Sequence, residues 1–147
     1  MALHDKKVRD VMTANPECVS EKDTVRDAAR IMARQDTGVV PVLEGRKIIG
    51  LITDRDIVVR LIAEGKDPAS AHVDDAMSKN VRSVREDAAI DEVLQVMRNA
   101  QVRRVPVVNN SNELVGIVSM ADVASATRES GKVGDTVEKI SEAPPNN

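Results

Sequence analysis

Leu114-Val115-Gly116-Ile117-Val118-Ser119-Met120-Ala121-Asp122-Val123 is the stretch that decides the fold. The apolar run has the length of a strand, and its single glycine admits the close approach of another backbone. Ser119 stands where a helix N-cap belongs and Asp122 follows three residues later, so the strand is expected to run straight into a helix. The unit occurs a second time as Ile48-Ile49-Gly50-Leu51-Ile52-Thr53-Asp54-Arg55-Asp56-Ile57. In both copies a hydroxyl and a carboxylate three positions on mark the end of a buried strand and the mouth of a helix.

Outward from these points the chain repeats itself. An offset of 65 residues pairs Val8 with Val73, Asp10 with Asp75, Met12 with Met77, Asn15 with Asn80, Val19 with Val84, Glu21 with Glu86, Met32 with Met97 and Pro41 with Pro106. One residue inserted in the loop around Asn109–Glu113 makes the offset 66 for Gly50 with Gly116 and Asp56 with Asp122. Such a long, nearly gapless self-match implies duplication of one structural unit.

Each copy opens with a polar lead, Val8–Thr13 or Val73–Ser78, and a brief strand candidate, Glu17–Val19 or Val81–Val84. An amphipathic helix follows, with Val25, Ala28, Ala29 and Met32, or Ile90, Val93, Leu94 and Met97, at i, i+3, i+4 and i+7. Two apolar strands come next. Val39–Leu43 and Ile48–Ile52 are joined by Glu44–Lys47, and Val105–Val108 and Leu114–Val118 by the turn cluster Asn109–Asn112. Pro41 and Pro106 fall inside the first strand of each pair, which predicts an edge or interrupted strand. Helices Asp54–Ala63 and Ala121–Thr127 close the units. The predicted fold is α/β (α+β), with β-α-β-β-α twice. The expected domains are 8–64 and 73–126, and residues 127–147 are expected to form a short C-terminal helix (Val133, Val137, Ile140) and a frayed tail.

Composition narrows the function. The 147 residues are 41% hydrophobic and 31% charged, with a net charge of −3 at pH 7, which gives no general attraction to nucleic acid or anionic membranes. Aromatic residues are absent, so the stacking platforms of single-strand binders are missing, and a bound base must lie between aliphatic side chains. The one cysteine, Cys18, excludes an intrachain disulfide framework and a multi-cysteine metal site. No signal-peptide pattern or bilayer-length apolar run is read, and a reduced, cytoplasmic setting is expected. His4 and His72 lack sequence neighbours at metal-ligand spacing, so no metal is expected. Neither a nucleophile–base pair nor a P-loop nor an HExxH motif occurs, and Asp54 and Asp56 at i, i+2 point to different sides of a helix. No enzyme is expected.

The pattern V-x-D-x-M-T/S, then an amphipathic helix, then V-P-V, then G-h-h-T/S-x-x-D (h, apolar) resembles the CBS domain, and two in tandem resemble a CBS pair, or Bateman module, over roughly residues 8–126. The stretch Leu51–Ile57 and the lack of other domains are similar to small stand-alone bacterial members. The resemblance implies that the copies pack around a pseudo-two-fold axis and that two pairs associate through their helices as a homodimer. It further implies a regulatory sensor, with adenosine-containing ligands (AMP, ADP, ATP or S-adenosylmethionine) held in clefts between the copies and no required cofactor. A regulated partner protein is implied but not identified.

The residues themselves allow two readings of Thr53/Asp56 and Ser119/Asp122. Hydroxyl and acid can satisfy each other's backbone donors as a capping box. The same carboxylate can accept both hydroxyls of a ribose, and a helix N-terminus suits a phosphate. The roles are compatible. A phosphate also needs a cation. In the family the position three before the V-P-V proline often carries one, and Arg103 occupies it in Arg103-Arg104-Val105-Pro106, whereas Gly38 does in Gly38-Val39-Val40-Pro41. Arg55 could compensate in the first copy. Arg103 and Arg104 read equally as solvated strand-end charges. By the resemblance, Lys79–Val84 completes the Thr53/Asp56 cleft, and Asn15–Val19, with Cys18 and Val19, completes the Ser119/Asp122 cleft. Cys18 otherwise reads as a small reduced hydrophobe rather than a redox centre. The broad stripe Ile57, Val58, Leu61 and Ile62, together with Val25–Met32 and Ile90–Met97, predicts a homodimer. The competing reading is a ligand-free structural or interaction module acting through its dimeric helical face.

Overall fold

The computed structural model describes residues 6–127, so the expected C-terminal helix and tail at 128–147 lie outside the described residues. The elements are β1 (Thr13–Ala14), β2 (Val19–Ser20), α1 (Val25–Gln35), β3 (Val39–Glu44), β4 (Lys47–Thr53), α2 (Asp54–Asp56), β5 (Val84–Arg85), α3 (Ile90–Ala100), β6 (Arg104–Val108), β7 (Leu114–Ser119) and α4 (Met120–Thr127). Short 3₁₀ turns at Val8–Asp10 and Val73–Asp75 open the two repeats. The mixed α/β fold is thus as expected, and it forms two units. One is Pro16–Val81; the other joins the described residues up to Asn15 with those from Arg82 onward.

Each lead segment packs in the unit of the opposite repeat, the exchange that the resemblance implies. In one unit Val8 N donates to Ala88 O (2.9 Å), Arg9 N to Glu86 O (3.0 Å) and Asn15 N to Val115 O (3.0 Å). Its sheet has the order β1-β7-β6-β5. In the other, Val73 N donates to Asp23 O (2.8 Å) and Asp74 N to Glu21 O (3.2 Å), while Ser78 and Leu51 exchange backbone hydrogen bonds of 2.8 and 3.0 Å. Its sheet runs β2-β3-β4, with Ser78 bridging to Leu51 beyond β4.

The glycine of each strand explains how the lead segment seats. A Cβ at Gly50 would lie 2.7 Å from Ser78 O, and one at Gly116 would lie 2.9 Å from Thr13 O and strike Met12 Sδ. Only a residue without a side chain lets the lead backbone that close. The leads leave their strands through Asn15 and Asn80, at φ of 51° and 59°, a left-handed conformation that asparagine tolerates better than most residues.

Each unit buries its own core. Val25, Ala28, Met32, Val40, Val42, Ile52, Leu61 and Val73 fill one; Val8, Ile90, Val93, Leu94, Met97, Val105, Val107 and Val118 fill the other. The helix periodicity is therefore as read, with Ala29 half-buried at the margin. Thr24 caps α1 through Asp27, and Asp36 and Gln101 end α1 and α3 in the left-handed conformation.

Two expectations change. Pro41 and Pro106 sit in strands that have neighbours on both sides, which removes the edge alternative, while the register is interrupted just beyond them, at Val42/Leu43 and Val107/Val108. Leu51 directs its backbone groups to Ser78, so its pairing with Pro41 needs no proline donor. On the other side β2 begins pairing only at Val42, and β5 likewise only at Val107. The missing N–H thus falls beyond the end of the short neighbour. The helix expected over Asp54–Ala63 is a single α turn followed by a wider π-helical segment, Ile57–Ile62, with Ala63 N donating to Val58 O at 2.9 Å. The π turn shifts the facing of the stripe. Leu61 is buried in its own unit and Ile57 is half-buried, while Val58, Val59 and Ile62 are 57%, 45% and 52% exposed.

Candidate functional site

Strand β7 delivers Ser119 to the start of α4. Ser119 N donates to Asp122 Oδ2 (2.9 Å) and Asp122 N donates to Ser119 Oγ (3.1 Å). Thr53 and Asp56 do the same at the end of β4, with both bonds 3.0 Å long. The capping-box reading is therefore realised in both copies, and it fixes each carboxylate by one oxygen. What the other oxygen does differs between the copies.

Asp122 is half-buried and, among the described residues, is engaged by Ser119 alone. Arg103 lies beside the start of α4, its carbonyl accepting Met120 N at 2.7 Å, while its guanidinium is exposed and ion-pairs with none of the described residues. Arg104 pairs with Ser119 in the sheet register and is half-buried. Val105 and Pro106 are buried beneath them. The arrangement offers a held carboxylate with a free acceptor at a helix start, next to a strand end that carries an exposed cation.

The Thr53/Asp56 junction is built from different parts. Asp56 is only 3% exposed. Ser78 Oγ stands 3.2 and 3.3 Å from its two carboxylate oxygens, and Arg60 Nε is 3.7 Å from Oδ1. Gly38 faces the Asp54 carboxylate, whose Oδ2 would be 3.0 Å from a Cβ there, and Asp54 N donates to Gly38 O at 3.0 Å. Arg55 is exposed, and its amide donates to Asp54 Oδ1 at 2.9 Å. Val39 and Pro41 are buried. Where the second copy sets an arginine, the first sets an acid.

The lead residues expected at each junction shift by a few positions. Ser78, just before the expected Lys79–Val84, reaches Asp56. Met12, Thr13 and Asn15 lie along β7. Cys18 and Val19 lie in the unit Pro16–Val81: Val19 is part of its core, and Cys18 Sγ donates to Pro16 O at 3.1 Å. Ser78 and Arg60 were not singled out in the sequence. The available signal is that Ser78 fills the hydroxyl position of the lead motif, as Thr13 does in the other copy.

His72 does acquire neighbours. The 3₁₀ turn brings one ligand atom each from His72, Asp74 and Asp75 within 4.8 Å of one another, all on exposed residues, and Asp75 Oδ2 already accepts His72 N at 3.3 Å. No helix among the described residues is long and apolar enough to cross a membrane.

Comparison with known proteins agrees with this architecture. The family model described as CBS domain matches twice, at residues 8–63 and 73–129. Protein YlbB of Bacillus subtilis is 39% identical over 92% of this chain and 92% of its own. Hypoxic response protein 1 of Mycobacterium tuberculosis is 41% identical over 79% of this chain and 81% of its own. A crystal structure of hypoxic response protein I with two coordinated zinc ions superposes with a TM-score of 0.76 at 40% identity, covering 82% of this chain and 98% of that one. The CBS domain pair of protein MJ0100, in complex with 5′-methylthioadenosine and S-adenosyl-L-methionine, superposes with a TM-score of 0.71 at 26% identity, covering 84% and 96%. With a duplicated β-α-β-β-α core, exchanged lead segments and two matched family regions, the chain belongs to the CBS-domain family and carries two CBS domains in tandem.

Proposed function

We propose that this CBS pair is a non-enzymatic, cytoplasmic regulatory module that binds an adenosine-containing ligand at the Ser119/Asp122 junction. The observation that carries the reading is the half-buried Asp122 carboxylate, held by Ser119 with one oxygen left over, next to a strand end bearing Arg103, which is exposed and ion-pairs with none of the described residues. The free oxygen suits a ribose hydroxyl, and the arginine suits a phosphate. Support from a relative comes from MJ0100, whose CBS pair is seen with two adenosine derivatives. The chain offers no nucleophile–base pair, so the ligand is sensed rather than transformed. No cofactor or metal is required, and nucleic acid and membrane play no part.

The module works as a homodimer whose contact is built on the exposed Val58, Val59 and Ile62, and ligand occupancy alters its association with a regulated protein. These same exposed aliphatics favour the second reading, a module that acts by contact alone. A melting experiment separates the two. A ligand that binds only the folded chain raises the melting temperature by mass action. Because Trp, Tyr and Phe are absent, the transition is followed with a dye or by calorimetry. AMP is expected to raise the melting temperature in a dose-dependent way. No shift with millimolar AMP, adenosine or S-adenosylmethionine overturns the ligand reading in favour of the contact module.

A further inference from the structure

Asp56 and Asp122 hold the same place in the repeat and the same capping role, yet their remaining acceptor capacity is spent differently. Around Asp56 the donors are Thr53 N and the Ser78 hydroxyl, shared between both oxygens, and the Arg60 guanidinium forms an ion pair at 3.7 Å. Arg60 Nη1 also donates to Met77 O at 3.0 Å, so one side chain grips both the carboxylate and the lead segment that carries Ser78. That segment is further tied to Leu51 by two backbone hydrogen bonds and pressed against Gly50. A carboxylate this buried persists only with such partners.

Among the described residues the second copy lacks the parts. The repeat counterpart of Arg60 is Ala126, and that of Ser78 is Thr13, which is exposed. The charge beside the two carboxylates also differs, Asp54 at Gly38 against Arg103 beside Met120.

We propose that the two motif acids have separate tasks: Asp56, with Ser78 and Arg60, is a latch that pins the Met77–Ser78 lead into the unit Pro16–Val81, and Asp122 alone is left to receive ligand, one per chain. The ligand half rests on the function proposed above; the latch half stands without it. Both acids cap a helix start, so a pair of alanine variants cancels the cap and isolates the latch. Asp56→Ala is expected to lower the melting temperature by roughly 5 °C or more beyond the loss caused by Asp122→Ala, from the lost charge-assisted bonds. In calorimetric titration with AMP, the wild type is expected to bind one AMP per chain. Asp56→Ala is expected to keep its affinity within about two-fold, whereas Asp122→Ala loses about ten-fold or more. Equal melting losses in the two variants overturn the latch. Two AMP per chain, or a ten-fold loss of affinity in Asp56→Ala, overturns the single-site assignment. A wild type that binds no AMP overturns the proposed function instead, and the melting comparison still judges the latch. Should Asp56→Ala fail to fold, Ser78→Ala replaces it: a lowered melting temperature with unchanged AMP affinity supports the latch, and an unchanged melting temperature overturns it.

Discussion

Burial first, and then the charge of neighbouring Glu17, push the Cys18 thiol up to about 11 from its ordinary 9.0. The folded chain therefore holds this proton more tightly than the unfolded chain. The thiol's contribution to stability is complete below pH 9.0 and is lost progressively as pH rises toward 11. Alkylation of the folded protein by iodoacetamide is expected to be slow at pH 8 and to accelerate until about pH 11, the value in the fold. A rate that levels off near pH 9.0, the ordinary value, contradicts this environment. At the same scale, the hydroxyl–carboxylate spacing disclosed both capping boxes in advance, because N-cap and N3 are local in sequence. The partners that distinguish Asp56 from Asp122 were not legible. Ser78 lies 22 positions away and arrives only through the exchange of lead segments.

Secondary structure was legible wherever a period could declare itself. The apolar faces of α1 and α3 stand where the helical spacing put them, and the pairs β3–β4 and β6–β7 where the apolar runs and turn residues put them. The exchange of the leads was legible only through the family resemblance, since two-residue strands carry no period of their own, although Gly50 and Gly116 already advertised a close backbone. The π-helical segment after α2 was not legible, because one widened turn leaves the apolar composition of Ile57–Ile62 unchanged while rotating its side chains. The rotation matters for assembly. The faces of Val25–Met32 and Ile90–Met97 are consumed by their own cores, so the proposed dimer contact contracts to Val58, Val59 and Ile62. Light scattering at micromolar concentration is expected to give a dimer mass for the wild type and a monomer mass for the double variant Val58→Asp, Ile62→Asp. The double variant is expected to keep its melting transition, since both side chains are exposed and such positions tolerate change. A monomeric wild type contradicts the dimer.

Across the whole molecule the net charge of −3 opposes an anion, so a phosphate must be recruited by local charge, and the two repeats supply opposite local charges. Duplication gave this chain two copies of one junction. Gly38 and Asp54 stand at one and Arg103 and Met120 at the other. Screening acts on a phosphate–arginine attraction at an exposed site and far less on ribose hydrogen bonds or aliphatic contacts to a base. The most direct measurement is therefore calorimetric titration of AMP and of adenosine into the wild type and Arg103→Ala, at low salt and again at high salt. AMP is expected to bind the wild type about ten-fold more tightly than adenosine at low salt. High salt is expected to shrink that advantage, and Arg103→Ala to remove it while adenosine still binds. Equal affinities for AMP and adenosine in the wild type at low salt contradict a phosphate site at Arg103.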